Sequence, residues 1–322
     1  AAPPAHGAGA GLRMLGAVAR KRGLRAAQRL SQVRGWLEAD LGQLEAAIEA
    51  LQDRVHRPGA HLLGQRGKRV RPLCVMLASR LGGRTLDPTV RDVALAGELV
   101  HAATLLHDDV IDEGTWRRGA AAARVVYGNA ASVLAGDNLL VEALRLVHAA
   151  GDAGLMWSLL QTMGVMVDAE VLQLARRGTL QPDEGACLEI IRGKTAVLFA
   201  WCLEAGGRLG GLEQRQLRAL HRVGSCMGVA FQLVDDVIDL EADPSASGKD
   251  ALNDLREGKL TWPLLVATRS EPAIAREIEL LLAQEEPEPE RIATVWDRVR
   301  ATDAIERTCA FARARSSEAV QA

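Results

Sequence analysis

The sequence predicts an all-α fold, and three observations carry that expectation. Apolar residues recur at helical spacing in one run after another. No stretch of useful length alternates apolar and polar residues as a half-buried strand would. At 322 residues with 48% hydrophobic content, the chain can bury a large core. The architecture expected is an antiparallel helix bundle. Residues 1–11 (AAPPAHGAGAG) are low in complexity and read as a disordered extension or an appended remnant. Residues 12–322 are then a single domain.

Residues 12–52 read as one or two amphipathic helices, with Leu37, Leu41, Leu44, Ala47 and Leu51 at packing positions. In Gly64-Gln65-Arg66-Gly67-Lys68-Arg69-Val70-Arg71-Pro72, glycines and a proline bracket four cations ahead of the apolar run 73–81. Such a turn suits an anion, because backbone N–H groups, a positive dipole end and fixed cations converge there. A solvated basic loop is the alternative. Residues 92–112 form a helix that ends in Asp108, Asp109, Asp112 and Glu113, and Arg117-Arg118-Gly119 follow on a loop. Residues 128–140 open another helix. A further one, 154–175, has Met156, Met163 and Met166 as core filling. Gly193-Lys194-Thr195 resembles half of a P-loop, but the upstream glycines and the preceding strand are missing, which argues against a nucleotide site. Lys194 in an apolar helix still needs a partner, and a phosphate would supply one. Residues 204–211 read as a glycine-rich turn and 217–240 as a long helix. The loops 243–250 and 254–259 place Lys249 and Lys259 just beyond it, and helices fill the remainder with an acidic, proline-containing break at 285–290.

The acidic helix ends carry the chemistry. Asp108 and Asp112 are one helical turn apart, about 6 Å between Cβ atoms. Anions are disfavoured at a helix C-terminus and repel one another, so the arrangement asks for a cation. Paired carboxylates without Cys or a close His pair suit a hard ion, with Mg2+ the natural candidate. One such motif is equally a solvated helix end. The pattern returns, however, in Phe231-Gln232-Leu233-Val234-Asp235-Asp236-Val237-Ile238-Asp239. Two helices ending this way can face each other across a cavity and hold several divalent ions. Arg117 and Arg118, close behind the first motif, suit a phosphate that the metal also touches. The only lysines are Lys21, Lys68, Lys194, Lys249 and Lys259 in an otherwise arginine-based chain. A compact ammonium suits phosphate oxygens, so their clustering around glycines and aspartates marks phosphate contacts.

A net charge of −2 and a pI near 6.4 give no reason to expect a nucleic-acid partner. Cys74, Cys187, Cys202, Cys226 and Cys309 are scattered and odd in number, as expected of reduced thiols in a cytoplasmic protein. The longest uncharged apolar run, 153–167, falls short of the roughly 18 residues a membrane helix needs, so no transmembrane segment is expected.

Taken together, GKRVRP, DDVID followed by RRG, GKT, FQLVDDVID and GKDALNDLREGK resemble, in order and spacing, the trans-type isoprenyl diphosphate synthases of the polyprenyl synthetase family. The resemblance runs from about Gly64 to Pro263. It implies helices around a deep central cavity, usually in a homodimer, and a reaction that joins isopentenyl diphosphate to an allylic diphosphate such as farnesyl diphosphate. Asp108, Asp112 and Asp235 would ligate Mg2+, with Asp239 acting through water and Asp109 in support. Arg117, Lys194 and Lys259 would hold the allylic diphosphate, with Lys249 close. Lys68, Arg71, His101 and Arg118 would bind isopentenyl diphosphate, and Thr195 and Gln232 would face the reacting carbons. Short-chain relatives tend to carry aromatics one turn before the first motif, whereas Ala103 and Thr104 are small and Gly97 and Val100 are not bulky. A long product, heptaprenyl to decaprenyl, is therefore expected. The alternatives are a short-chain (farnesyl or geranylgeranyl) synthase, a non-catalytic subunit of a heteromeric synthase, and a terpene cyclase. The second Asp-Asp-x-x-Asp and 3% aromatic content count against the cyclase. Ala120–Ala123 after Arg-Arg-Gly, Asn138 after Gly136-Asp137, and Trp262 depart from the family pattern without removing a phosphate or metal ligand.

Overall fold

The computed structural model describes residues 28–322 except 30, 34, 66, 179–182, 242–258 and 285–287. The chain divides into two compact units, residues 1–47 and 48–322. The first unit contributes the start of helix α1 (Glu38–Gln52), and everything that follows concerns the second. The expected boundary at residue 12 lies outside the described residues.

The second unit is helical, as the residue spacing predicts. Short α2 (Arg57–Leu63) precedes α3 (Val70–Leu81) and the long α4 (Pro88–Ile111). α4 starts a turn earlier than its apolar spacing suggests. Pro88 occupies the first turn, where no N–H is needed, and the Asp87 side chain accepts the Val90 N–H at 2.9 Å. Its inner face includes Val93, Ala96, Leu99, Ala103 and Leu106, all without solvent exposure. Burying each of its leucines contributes about 2–3 kcal/mol.

The end of α4 is a left-handed cap. Glu113 (φ 54°) follows Asp112, and the Gly114 N–H returns to the Asp109 carbonyl at 2.9 Å. The chain then makes the one non-helical ladder among the described residues, β1 (Trp116–Arg117) against β2 (Ala120–Ala121). Arg118 (φ 51°) and Gly119 (φ 81°) form its two-residue turn. The expected loop is thus a tight hairpin.

Beyond it come α5 (Ala123–Tyr127), α6 (Asn129–Ala149), α7 (Ala153–Ala175) and α8 (Glu184–Ile191). One wide π turn (Arg192–Ala196) then leads into α9 (Val197–Leu209). α9 corrects the glycine-rich turn expected at 204–211. Gly206 and Gly207 lie inside the helix, and a Cβ at Gly206 would stand 2.2 Å from the Val75 carbonyl of α3. Those glycines serve close helix packing, and only Gly211 (φ 79°) turns the chain. α10 (Gln214–Glu241), α11 (Trp262–Ser270), α12 (Pro272–Leu282), α13 (Pro289–Ala301) and α14 (Ala304–Gln321) complete the unit. α4 packs along α6, α9 on both α3 and α10, and α14 along α10.

By length and composition α7 could cross a membrane. The uncharged run is short as expected, but the helix continues through Asp168 and Glu170 to Ala175. Of its methionines, Met166 is buried and Met156 and Met163 are half-buried. Trp157, Leu160, Val167, Val171 and Leu174, at successive spacings of three, seven, four and three, stay exposed along one side.

Candidate active site

The end of α4 meets the end of α7, the π turn and the segment leading into α11. Asp112 accepts from Lys259 Nζ at 2.5 Å through Oδ2. Its Oδ1 is buried without a hydrogen-bond partner and lies 3.9 Å from Arg177 Nη1. Asp108, a turn earlier, is pushed up to about 6 by burial, with Glu170 and Asp112 adding repulsion against Lys194 and Lys259. Lys194 Nζ pairs with Glu170 at 2.5 Å and donates to Gln173 Oε1. The partner expected to be a phosphate is, in this structure, a carboxylate of α7. Thr195 Oγ1 donates to Gln232 Oε1 at 2.7 Å, and Gln232 Nε2 donates to Asp236 Oδ1 at 2.8 Å. The Trp262 N–H reaches the other Asp236 oxygen at 3.3 Å. Lys194, Thr195, Gln232, Asp236 and Lys259 line one cavity of about 210 Å³.

A second, basic cluster lies about two turns back along α4, around Glu98 and His101. Arg69 and Glu98 form a buried ion pair at 2.7 Å. Arg71 packs over the Phe199 ring at 4.8 Å with its buried Nε lacking a partner. Burial lowers the Arg71 pKa, partly offset by Glu98. Arg118 is also lowered by burial, with Glu98 opposing and Arg69 and Arg117 adding to the shift. Its guanidinium lies beside Gly67, where a Cβ would come within 3.4 Å. His101 is held well below its ordinary value, first by burial and then by Arg71, Arg118, Arg117 and Arg69. It is therefore a neutral imidazole at pH 7. Positive charge concentrated this way, with little anionic compensation, suits a phosphate group.

Arg117, expected to hold the same substrate as Lys194, meets the acidic end of α4. Its Nε donates to Asp109 Oδ1 at 2.8 Å. Burial keeps the Asp109 carboxyl above its ordinary range even so. The same carboxylate raises Arg117 against the effect of burial. Lys68 is exposed at the glycine-rich turn, and Asp235 and Asp239 are exposed on α10, apart from buried Asp236. Lys249 lies outside the described residues. Among the described residues no three His, Cys, Asp or Glu side chains converge as a ready-made metal cage. The donor chemistry does fit a hard divalent ion: carboxylate oxygens, one of them buried and unpartnered in Asp112.

The positive-φ residues that are not glycine, among those described, are Arg69, Glu113 and Arg118. All three border these clusters, where strained backbone tends to collect. Glu170, Gln173, Arg177 and Asp236 are the participants the sequence did not single out. The aspartate-rich repeat offered a signal only for Asp236.

An all-helical chain with these motifs falls into one class of protein: residues 52–299 match the polyprenyl synthetase family model, and the chain belongs to that family. It is 37% identical over 229 residues to the octaprenyl diphosphate synthase of Escherichia coli K12, covering 71% of this chain and 69% of that one. It is 36% identical over 240 residues to the nonaprenyl diphosphate synthase of Mycobacterium tuberculosis, covering 73% and 69%. A polyprenyl synthase from Caulobacter crescentus CB15, solved with calcium and isoprenyl diphosphate, matches with a TM-score of 0.83 at 35% identity, covering 90% and 89%.

Proposed function

We propose that this chain is a Mg2+-dependent prenyltransferase of the cytoplasm that condenses isopentenyl diphosphate onto an allylic diphosphate, and that its product is a long all-trans polyprenyl diphosphate. One observation carries the reading. An acidic cluster, Asp108 and Asp112, with Lys194 and Lys259 against it, lies beside a separate arginine cluster around His101. Two diphosphates can therefore bind side by side, one with metal and one with cations alone.

In this reading Asp108 and Asp112 of α4 and Asp235 and Asp239 of α10 hold the divalent ions. When bound, these ions stabilise negative charge on the departing diphosphate. Lys194 and Lys259, with Lys249 and Arg117, fix that diphosphate in place. Arg71, Arg118, Lys68 and neutral His101 orient isopentenyl diphosphate, whose double bond attacks the allylic carbocation left once the carbon–oxygen bond has broken and diphosphate has departed. Thr195 and Gln232 pair with each other and present dipoles rather than a nucleophile to the developing cation. The released diphosphate accepts the proton lost from the new chain.

Long relatives and the small side chains before Asp108 support a long product. Thr104, on the same face of α4 as Asp108, is half-buried. Gly97 is not an opening: a Cβ there would meet Cys202 Sγ at 3.0 Å. The route for a growing chain in this reading therefore passes Thr104. The exposed stripe of α7, with Val133, Leu134 and Val141 of α6, supports a homodimer. Free thiols throughout support a reducing compartment.

The test is product analysis with purified protein, Mg2+, radiolabelled isopentenyl diphosphate and farnesyl diphosphate. The expected products, after dephosphorylation and chromatography, have about thirty-five carbons or more, the length of seven five-carbon units. Products ending at fifteen or twenty carbons would keep the reaction and remove the long-chain assignment. No elongation at all would overturn the enzymatic reading in favour of a silent subunit.

A further inference from the structure

The last turns of α7 send side chains of opposite charge to opposite partners. Glu170 reaches Lys194, and Arg177, just past the helix, reaches the end of α4. Arg177 Nη1 donates to the Ile111 carbonyl at 3.2 Å, one of the terminal acceptors a helix leaves unpaired. The same nitrogen stands 3.9 Å from Asp112 Oδ1. That is ion-pair distance and too long for a hydrogen bond, so the buried oxygen keeps its lone pairs while its charge is compensated. Arg177 is anchored by its own N–H to the Leu174 carbonyl at 3.2 Å, and Gly178 (φ 73°) turns the chain immediately after it.

We propose that Arg177 is a stand-in counter-ion: a positioning residue that neutralises and caps the acidic end of α4 while no divalent ion is bound, and yields that role when the ion arrives. The inference rests on the metal reading given above and goes beyond it, since it assigns a task in the metal-free enzyme to a residue outside the aspartate motifs. Such a group is favoured even beside Lys194, Lys259 and Arg117. Asp108, Asp109 and Asp112 crowd a helix C-terminus, where the dipole disfavours anions, and Lys259 bonds only one oxygen of Asp112. Glu170 against Lys194 is the mirror case, an anion held where a phosphate would sit.

Thermal melting of the full chain in two conditions tests this. Arg177→Ala should melt about 3 °C below the unmodified protein with chelator present. The gap should close to within about 1 °C at saturating Mg2+ and inorganic pyrophosphate, because the ions then supply the missing charge. Arg177→Lys, which keeps the charge, should track the unmodified protein in both. A purely structural arginine would give the same loss in both conditions, and that result overturns the proposal. So does an Arg177→Lys variant as unstable as Arg177→Ala. If Mg2+ with pyrophosphate fails to raise the melting temperature of the unmodified protein, the metal reading itself falls and takes this inference with it.

Discussion

Single side chains set two outcomes here. Arg69 and Glu98 are both almost without solvent exposure, and Glu98 is the only carboxylate within the arginine cluster that these contacts name. Removing one partner of a buried pair leaves an uncompensated charge, so Glu98→Ala should lose about 3–5 kcal/mol in urea unfolding. A loss under 1 kcal/mol would mean that water reaches the pair. Thr104→Phe addresses product length. The ring would project one turn below Asp108, and the product distribution should shorten to about twenty carbons or fewer, as the space of one aromatic ring stands in for that of several isoprene units. Unchanged chain lengths would place the floor on another helix. The residues that set these outcomes were unequally legible. Asp108, Asp112, Lys194 and Gln232 stand in motifs whose spacing is itself the signal. Glu170 and Arg177 carry no local mark, because their roles come from contacts 24 and 66 positions away in the chain and only the packing of α7 against α4 and the π turn creates them.

At the scale of elements, the ends of helices do the positioning. Asp152 caps α7 by accepting from the Gly154 and Leu155 N–H groups at 2.8 and 3.0 Å, and ties it to α9 through Arg208 at 2.5 Å. The hydrogen bond from Arg208 holds the Asp152 carboxyl below its ordinary value. A depressed carboxylate contributes stability that is fully present above its unfolded pKa of about 3.9 and is lost as the pH falls through the folded value. Asp152→Ala should therefore cost about 1–2 kcal/mol at pH 7 and progressively less below pH 4, a difference that paired melts at the two pH values would reveal. An equal cost at both would assign the loss to packing. Helix ends were also where the sequence was hardest to read. Pro88 and Asp87 begin α4 a turn early because a proline in the first turn costs nothing there. The paired glycines 206 and 207 look like a turn in a linear reading, and only the approach of α3 to Gly206 and of Leu217 and Leu220 of α10 to Gly207 shows them to be packing residues. Runs of apolar spacing, by contrast, marked the long helices among the described residues correctly in kind.

For the whole molecule the open question is what covers α7. Its buried side supplies Glu170 and Gln173 to the site, while Trp157, Leu160, Val167, Val171 and Leu174 lie exposed along the other side, with Gly164 among them and nothing near it. A stripe repeating at three and four residues is a helix-packing surface, and the small residue in its middle would let a second helix approach closely. A membrane is a poor match, because Asp168 is exposed on the same helix, next to Val167. A second copy of the chain, pairing stripe on stripe, buries both faces at once with a two-fold axis. On the proposed homodimer, the unmodified protein should sediment as a dimer and Leu160→Glu combined with Val167→Glu as a monomer. Because α7 holds Lys194 from its other side, the monomer should also lose turnover, through a helix that no longer has a fixed face behind it. A double variant that sediments with the unmodified protein would move the interface elsewhere. One that is monomeric and fully active would show that α7 keeps its position from within a single chain.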